Sequence, residues 1–253
     1  MNIDINTSGE NAPFHENTSI LVDGCNSLGL SLTKTQIRQY VLYYRMLYEK
    51  NRVMNLTTVT EWSEVQTRHY LDSLLLSRVT DLTGKLNVLD MGTGAGFPGI
   101  PLKIAFPDLN MVLADSLNKR IRFLEEVIAE LGLTGIRAVH GRAEDLGRQP
   151  EYREEFDLVV SRAVAPLSSL SEYCIPFVKM HGVFISYKSS EIEEEVKNAE
   201  KAIRILGGGK PSTTALSLPC TDMNRSFVVV RKEKSTPGKY PRKAGTPKRD
   251  PIK

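Results

Sequence analysis

A doubly wound, Rossmann-like α/β sheet, mostly parallel with an antiparallel strand near its end, is the fold that three features of this sequence predict. Short apolar runs of strand length alternate with longer amphipathic runs between residues 84 and 233. The first of those strands ends in a cluster of glycines that leads straight into a helix. Hydrophobic residues make up 41% of the 253 and charged residues 25%, enough to bury the core of one such domain carrying a small helical extension.

Residues 1–17 are polar and include acids, which suits a disordered start and neither a signal nor a transit peptide. The helical extension covers 18–83. Thr33 followed by Gln36 is a capping-box start, and Ile37, Tyr40, Val41, Tyr44, Leu47 and Tyr48 recur at helical spacing. After Asn55-Leu56-Thr57-Thr58, a second helix runs from about Glu61 to Arg78. His69, the one histidine of interest, sits on it beside Tyr70 and Asp72; an interhelical hydrogen bond is its expected role.

The period then changes. Leu86 to Met91 is a short buried strand, and Gly99 to Phe106 begins a helix. Met111 to Asp115 is the second strand, followed by an amphipathic helix from Asn118 to Leu131 that Gly132 closes. Ile136 to His140 is the third and Phe156 to Ser161 the fourth, with a helix from about Pro166 to Val178. Gly182 to Tyr187 is the fifth, with an acid-rich helix from Ser190 to Leu206. Strands near 213–218 and 226–231 are expected to finish the sheet as an antiparallel pair across the turn Gly207-Gly208-Gly209. Beyond Glu233 the composition is rich in Pro, Gly and Lys, so 234–253 reads as a basic flexible tail.

The net charge of +3 hides an asymmetry. Residues 231–253 hold nine Lys/Arg against two Asp/Glu, leaving the rest of the chain at −4. A basic end on a mildly acidic body suits a polyanion partner, because phosphates release counterions to clustered cations; a merely solvated terminus is the plain alternative. No apolar run approaches the ~18 residues of a membrane span. Cys25, Cys174 and Cys220 lack metal-ligand spacing and fit a reducing cytoplasm. No metal is expected, and a monomer is the expected state.

The stretch Asp90-Met91-Gly92-Thr93-Gly94-Ala95-Gly96-Phe97-Pro98-Gly99 can be parsed in two ways. Gly94, Gly96 and Gly99 satisfy the dinucleotide fingerprint, with Asp115 at the expected distance. Asp90 followed by Gly92, Gly94 and Gly96 instead forms a turn that admits S-adenosylmethionine. Pro98 removes a backbone donor where a pyrophosphate would need one, which favours the second parse. Glycines at 92, 94 and 96 allow close backbone approach to an amino acid and a ribose, and Asp115 can accept from ribose hydroxyls in either case. Ala143 and Glu144 follow the third strand, where a carboxylate and backbone N–H groups suit an adenine edge. Arg162 ends the fourth strand, where strand ends line the ligand crevice. The plain readings are a helix N-terminal acid for Glu144 and a surface ion pair for Arg162.

Absences narrow the chemistry. The Asn/Asp-Pro-Pro-aromatic loop of exocyclic-amine methylation is missing after the fourth strand, where Ser161-Arg162-Ala163-Val164-Ala165-Pro166 stands instead. No cysteine nucleophile of the kind needed at a pyrimidine C5 lies there either. Guanine N7 carries a free lone pair at neutral pH, so positioning could supply most of its methylation rate. A flipped or loop guanine is the reasonable target, since the A-form major groove is too narrow for side chains.

Together these residues resemble the bacterial 16S ribosomal RNA guanine-N7 methyltransferase G family. The resemblance runs through Asn55-Leu56-Thr57, through His69 to Leu74, through Asp90 to Leu102 and through Asp115 to Arg120. It continues through Gly141 to Glu144, Phe156 to Ala165 and Lys239 to Pro247. It implies a class I methyltransferase sheet, S-adenosylmethionine as cofactor, and N7 of a guanine in the decoding-region hairpin of 16S rRNA as acceptor, in free rRNA or in the small subunit. It further implies cofactor contacts at Gly92, Phe97, Ala143, Glu144 and Arg162, with Asp115 and Ser116 at the ribose. Arg162 would also orient the reactants. Lys119 and Arg120, Lys188, and Arg242 and Lys243 of the tail are the expected RNA contacts. This chain has Lys188-Ser189 where the family usually has Lys-Gly. The alternatives are a nicotinamide-dependent oxidoreductase using the overlapping fingerprint and a non-catalytic RNA-binding module.

Overall fold

The structure, a computed structural model, describes residues 17–162, 164–189 and 192–252. The N-terminal stretch expected to be disordered therefore lies, apart from Asn17, outside the described residues.

Among the described residues, seven strands form one sheet: β1 Asn87–Met91, β2 Asn110–Asp115, β3 Ile136–His140, β4 Phe156–Arg162, β5 Val178–Lys188, β6 Ser212–Ser217 and β7 Asn224–Arg231. Their spatial order is β3-β2-β1-β4-β5-β7-β6. The first five are parallel, and β7 runs antiparallel to both β5 and β6. Chain order reverses direction between β1 and β4, and such a switch point is where open sheets of this kind leave a crevice beyond the strand ends.

Successive side chains of a strand face opposite ways, so a central strand that is apolar throughout must be covered on both sides. On one side Val88, Leu113, Leu158 and Val160 pack with Tyr40, Leu71 and Phe123. On the other, Leu89, Val112, Val159 and Phe184 pack with Leu170 and Ile203. The helix Lys34–Met54 opens on the expected capping box, Gln36 N donating to Thr33 Oγ1 at 3.2 Å and Thr33 N to Gln36 Oε1 at 2.8 Å. It shares the sheet's core and reaches the glycine-rich turn itself. Tyr43 Oη donates to the Ala95 carbonyl at 2.6 Å, and Tyr40 Oη to that of Pro101 at 2.8 Å.

Two expectations need correction. The turn at Gly207 joins the helix Glu193–Ile205 to β6, whereas the β6–β7 hairpin turns over residues 218–223. The glycine serves the helix exit: its φ is +94°, and a Cβ there would fall 2.0 Å from the Lys234 carbonyl oxygen. The basic tail expected to be flexible is anchored to the domain at several points, with Thr236, Tyr240, Pro241 and Pro247 buried. Arg242 makes a bidentate pair with fully buried Glu172, with Nη2 to Oε2 at 2.8 Å, and its backbone N donates to Oε1 at 2.6 Å. Arg153 donates to the carbonyls of Tyr240 at 2.8 Å and Thr236 at 2.7 Å. A buried carboxylate demands a counter-charge, and composition alone does not show which distant residue supplies it.

Candidate active site

The glycine-rich turn crosses from the end of β1 to the helix Gly99–Ala105 and is held from beneath by Asp90. That carboxylate is fully buried. Its Oδ2 accepts from Thr93 Oγ1 at 2.6 Å and from Gly99 N at 2.8 Å, closing the loop on itself. Its Oδ1 has no hydrogen-bond partner among the described residues, and burial pushes its pKa up to about 6, against the pull of those two hydrogen bonds.

The three glycines play different parts. Gly92 has φ +73°, and a Cβ there would lie 2.5 Å from Val164 Cγ2. Gly94 has φ +63°, a hypothetical Cβ would meet only open space, and its N–H donates to Asp115 Oδ2 at 3.0 Å. Gly96 faces the core, where a Cβ would lie 2.7 Å from both Ile100 and Tyr43 Oη. Its missing side chain accommodates packing.

A cavity of about 440 Å³ opens beyond the carboxyl ends of β1, β2, β3 and β4. Of the residues expected from sequence, Gly92, Asp115, Ser116, Ala143 and Glu144 line it. Gly94, Gly96, Phe97 and Arg162 are absent from its walls. Instead Val164 and Tyr173 come from the segment after β4, and Gly245 and Lys248 from the tail. Asp115 is deeply buried and already engaged: Oδ2 accepts from Gly94 N and, at 3.1 Å, from Arg120 Nη1, and Oδ1 accepts from Leu117 N at 2.9 Å. Glu144 is buried too, with Oε1 accepting from Gly245 N at 2.8 Å.

These walls suit S-adenosylmethionine. Gly92 presents bare backbone where a side chain would collide with Val164, and Asp115 and Glu144 offer carboxylate acceptors to the cavity.

Beside the cavity, Arg162 is fixed by a network that sequence reading did not assemble. Its Nη1 donates to Asp72 Oδ2 at 2.6 Å and to the Arg68 carbonyl at 3.2 Å. Asp72 Oδ1 also accepts from Arg225 Nε at 2.5 Å, so one buried carboxylate serves two guanidinium groups. The guanidinium of Arg162 lies 5.2 Å from the ring centre of Phe97, and the His69 ring stacks on Phe97 with ring centres 4.3 Å apart. Residues 66–71 form a widened π-type turn, a form frequent at functional positions. His69 Nδ1 lies 3.1 Å from the Arg68 carbonyl oxygen and 3.3 Å from Arg162 Nη2, and its Nε2 lies 2.8 Å from Thr57 Oγ1. Burial and the Arg162 charge hold its pKa down at about 3. The hydrogen bond expected between helices instead ties His69 to the loop at Thr57 and to the end of β4, and the ring is neutral at pH 7. The motif His69 to Leu74 was visible in sequence; that Arg162 and Arg225, 90 and 153 residues further on, both meet Asp72 was not.

The expected RNA contacts divide. Arg120 pairs with Asp115. Lys188 donates to Glu195 at 2.7 Å and to the Ala165 carbonyl at 3.2 Å, tying the segment after β4 to the helix Glu193–Ile205. Arg242 belongs to Glu172. Each of these three meets a carboxylate of its own chain. Lys119 and Lys243 are exposed, without an ion pair among the described residues.

Among the described residues, no helix is long and apolar enough to cross a membrane. The sequence model of the family described as rRNA small subunit methyltransferase G matches residues 36–224. A protein named ribosomal RNA small subunit methyltransferase G from Lachnoclostridium phytofermentans is 52% identical over 234 residues, which is 92% of this chain and 97% of that relative. Its namesake from Desulforamulus reducens is 50% identical over 235 residues, 93% of this chain and 98% of the relative. Among solved structures, a predicted O-methyltransferase from Agrobacterium tumefaciens is similar with a TM-score of 0.51 at 17% identity, over 66% of this chain and 81% of that one. That likeness concerns the fold alone. With the family model spanning most of the chain and relatives near half identity along almost all of it, this chain belongs to the rRNA small subunit methyltransferase G family.

Proposed function

We propose that this protein transfers a methyl group from S-adenosylmethionine to N7 of a guanine in the decoding-region hairpin of 16S rRNA. The observation that carries the reading is the cavity at the switch point, where Gly92, Asp115 and Glu144 meet. When bound, S-adenosylmethionine supplies an electrophilic methyl group on a sulfonium. Gly92 offers close backbone approach opposite Val164, Asp115 and Ser116 face the ribose, and Glu144 with Ala143 holds the adenine edge. Arg162, locked between Asp72 and Phe97, is a fixed positive charge beside the pocket that orients the incoming base.

Guanine N7 needs no deprotonation, which agrees with a neighbourhood whose histidine is neutral and fully engaged. Catalysis then rests on holding the lone pair in line with the methyl group. Lys119 and Lys243 are the cations left to meet phosphates. The working compartment is the cytoplasm, where ribosomal RNA is found, and the acting unit is a monomer.

The test is the N7-methylguanosine content of 16S rRNA from cells with and without this gene, complemented by the wild-type chain and by Gly92→Asp. Loss of the modification on deletion, restored only by the wild type, is expected. Equal content in all strains would overturn the proposal.

A further inference from the structure

Tail residues are part of the cofactor cavity, although they lie about a hundred positions beyond the strand ends that form the rest of it. Gly245 and Lys248 line the cavity alongside Glu144. The Gly245 N–H donates to Glu144 Oε1 at 2.8 Å, while Oε2 has no hydrogen-bond partner among the described residues. A carboxylate held by one oxygen presents the other in a fixed direction, and an acceptor with one free oxygen suits a single N–H donor. Gly245 adopts φ +81°, a conformation that aims its N–H there and that favours glycine.

The segment bearing this donor is anchored on both sides. Before it, Arg242 is clamped by buried Glu172. After it, the Pro247 carbonyl accepts from Ser169 Oγ at 2.8 Å. Both anchors, Ser169 and Glu172, lie on the helix Leu167–Cys174, which follows the Val164 wall of the same cavity.

We infer that Gly245 is a positioning residue for nucleobase recognition: its N–H sets Glu144 so that the free oxygen accepts from the exocyclic amine of the cofactor's purine. The inference rests on the cofactor reading above. It makes the tail a determinant of purine selectivity in addition to any contact with RNA.

The experiment compares the affinity of the full-length protein for S-adenosylhomocysteine and for its analogue with hydrogen in place of the 6-amino group. A charge-assisted hydrogen bond predicts about tenfold or greater preference for the amine-bearing ligand in the wild type. Gly245→Pro removes the donor, and a chain stopped after Lys243 removes the segment while keeping the Arg242–Glu172 pair. Both are checked for folding by circular dichroism, and the preference is expected to fall to about two- to threefold in each. A role in packing alone would weaken both ligands equally and leave their ratio intact. A preference of wild-type size in either folded variant overturns the inference, as does tighter binding of both ligands, which would mean that the tail competes for the site. A wild type that binds neither ligand refutes the cofactor reading itself.

Discussion

Asp72→Asn tests whether one buried carboxylate holds the site's arginine in place. Asp72 accepts from Arg162 at 2.6 Å and from Arg225 at 2.5 Å, with its own side chain 4% exposed and the two arginines 16% and 22% exposed. Removing one partner of a buried ion pair typically costs about 3–5 kcal/mol, because the remaining charge is left uncompensated. Here the residual access of water to both guanidinium groups offsets part of that loss, so about 2–3 kcal/mol is expected. For a domain of this size that lowers Tm by about 5–10 °C. Arg225→Met in the same background removes one of the two stranded cations. The double variant should therefore be less destabilised than the sum of the singles, by about 1 kcal/mol. Thermal unfolding of the four proteins, paired with titration of S-adenosylhomocysteine, gives both readouts. Arg162, released over Phe97, should also cost the ligand several-fold in affinity. Additivity within about 0.3 kcal/mol, with affinity unchanged, would mean that the network neither stores stability nor positions Arg162.

The pH dependence has two opposing parts. His69 has a folded pKa near 3, below its ordinary 6.5, so the unfolded chain binds the proton first and stability falls as pH drops below about 6.5. Asp90, raised to about 6, works in the other direction, favouring the fold as pH falls from about 6 towards 4. Between pH 7 and 5, His69→Gln should lose less stability than the wild type, by about 2 kcal/mol in urea unfolding; parallel profiles would refute the burial argument. Gly92→Ala puts a methyl group 2.5 Å from Val164 at the cavity wall and should weaken S-adenosylhomocysteine at least tenfold in calorimetry. Gly96→Ala strikes Tyr43 and Ile100 in the core, so its main effect should be a stability loss of about 2–4 kcal/mol; the reverse pattern would contradict the roles drawn for the two glycines. Arg120→Ala should alter cofactor affinity through Asp115 and leave the salt dependence of RNA binding unchanged, whereas Lys119→Ala should reduce that slope by about one. Equal slopes for both variants would put Arg120 back among the phosphate contacts.

Much of this architecture was legible in the order of residues. Strand runs such as Leu158 to Val160 place apolar residues at consecutive positions and so on both faces, and a sheet covered on both faces accommodates that. The capping box at Thr33 and the glycine turn after β1 are local signals, satisfied by neighbours a few positions away. They placed Gly92, Asp115 and Glu144 at adjacent strand ends, because parallel strands joined by helices bring every such end to one edge.

Charge partners were not legible. Arg120, Lys188 and Arg242 read as cations awaiting phosphate, and each instead meets a carboxylate of its own chain. Asp115 and Glu195 lie only five and seven residues from their partners, where the intervening turn decides whether the pair closes, whereas Glu172 lies 70 residues from Arg242, a closeness that sequence spacing does not record. The tail is the extreme case. Its composition is that of a loose end, yet buried Glu172 draws Arg242 inward and thereby brings Gly245 to the carboxylate of Glu144. Sequence determined the sheet, the turn and the family through short-range rules of pattern and conformation. Tertiary structure alone decided which charges are spent inside the molecule, because burying an ion is tolerable only where the fold supplies its opposite.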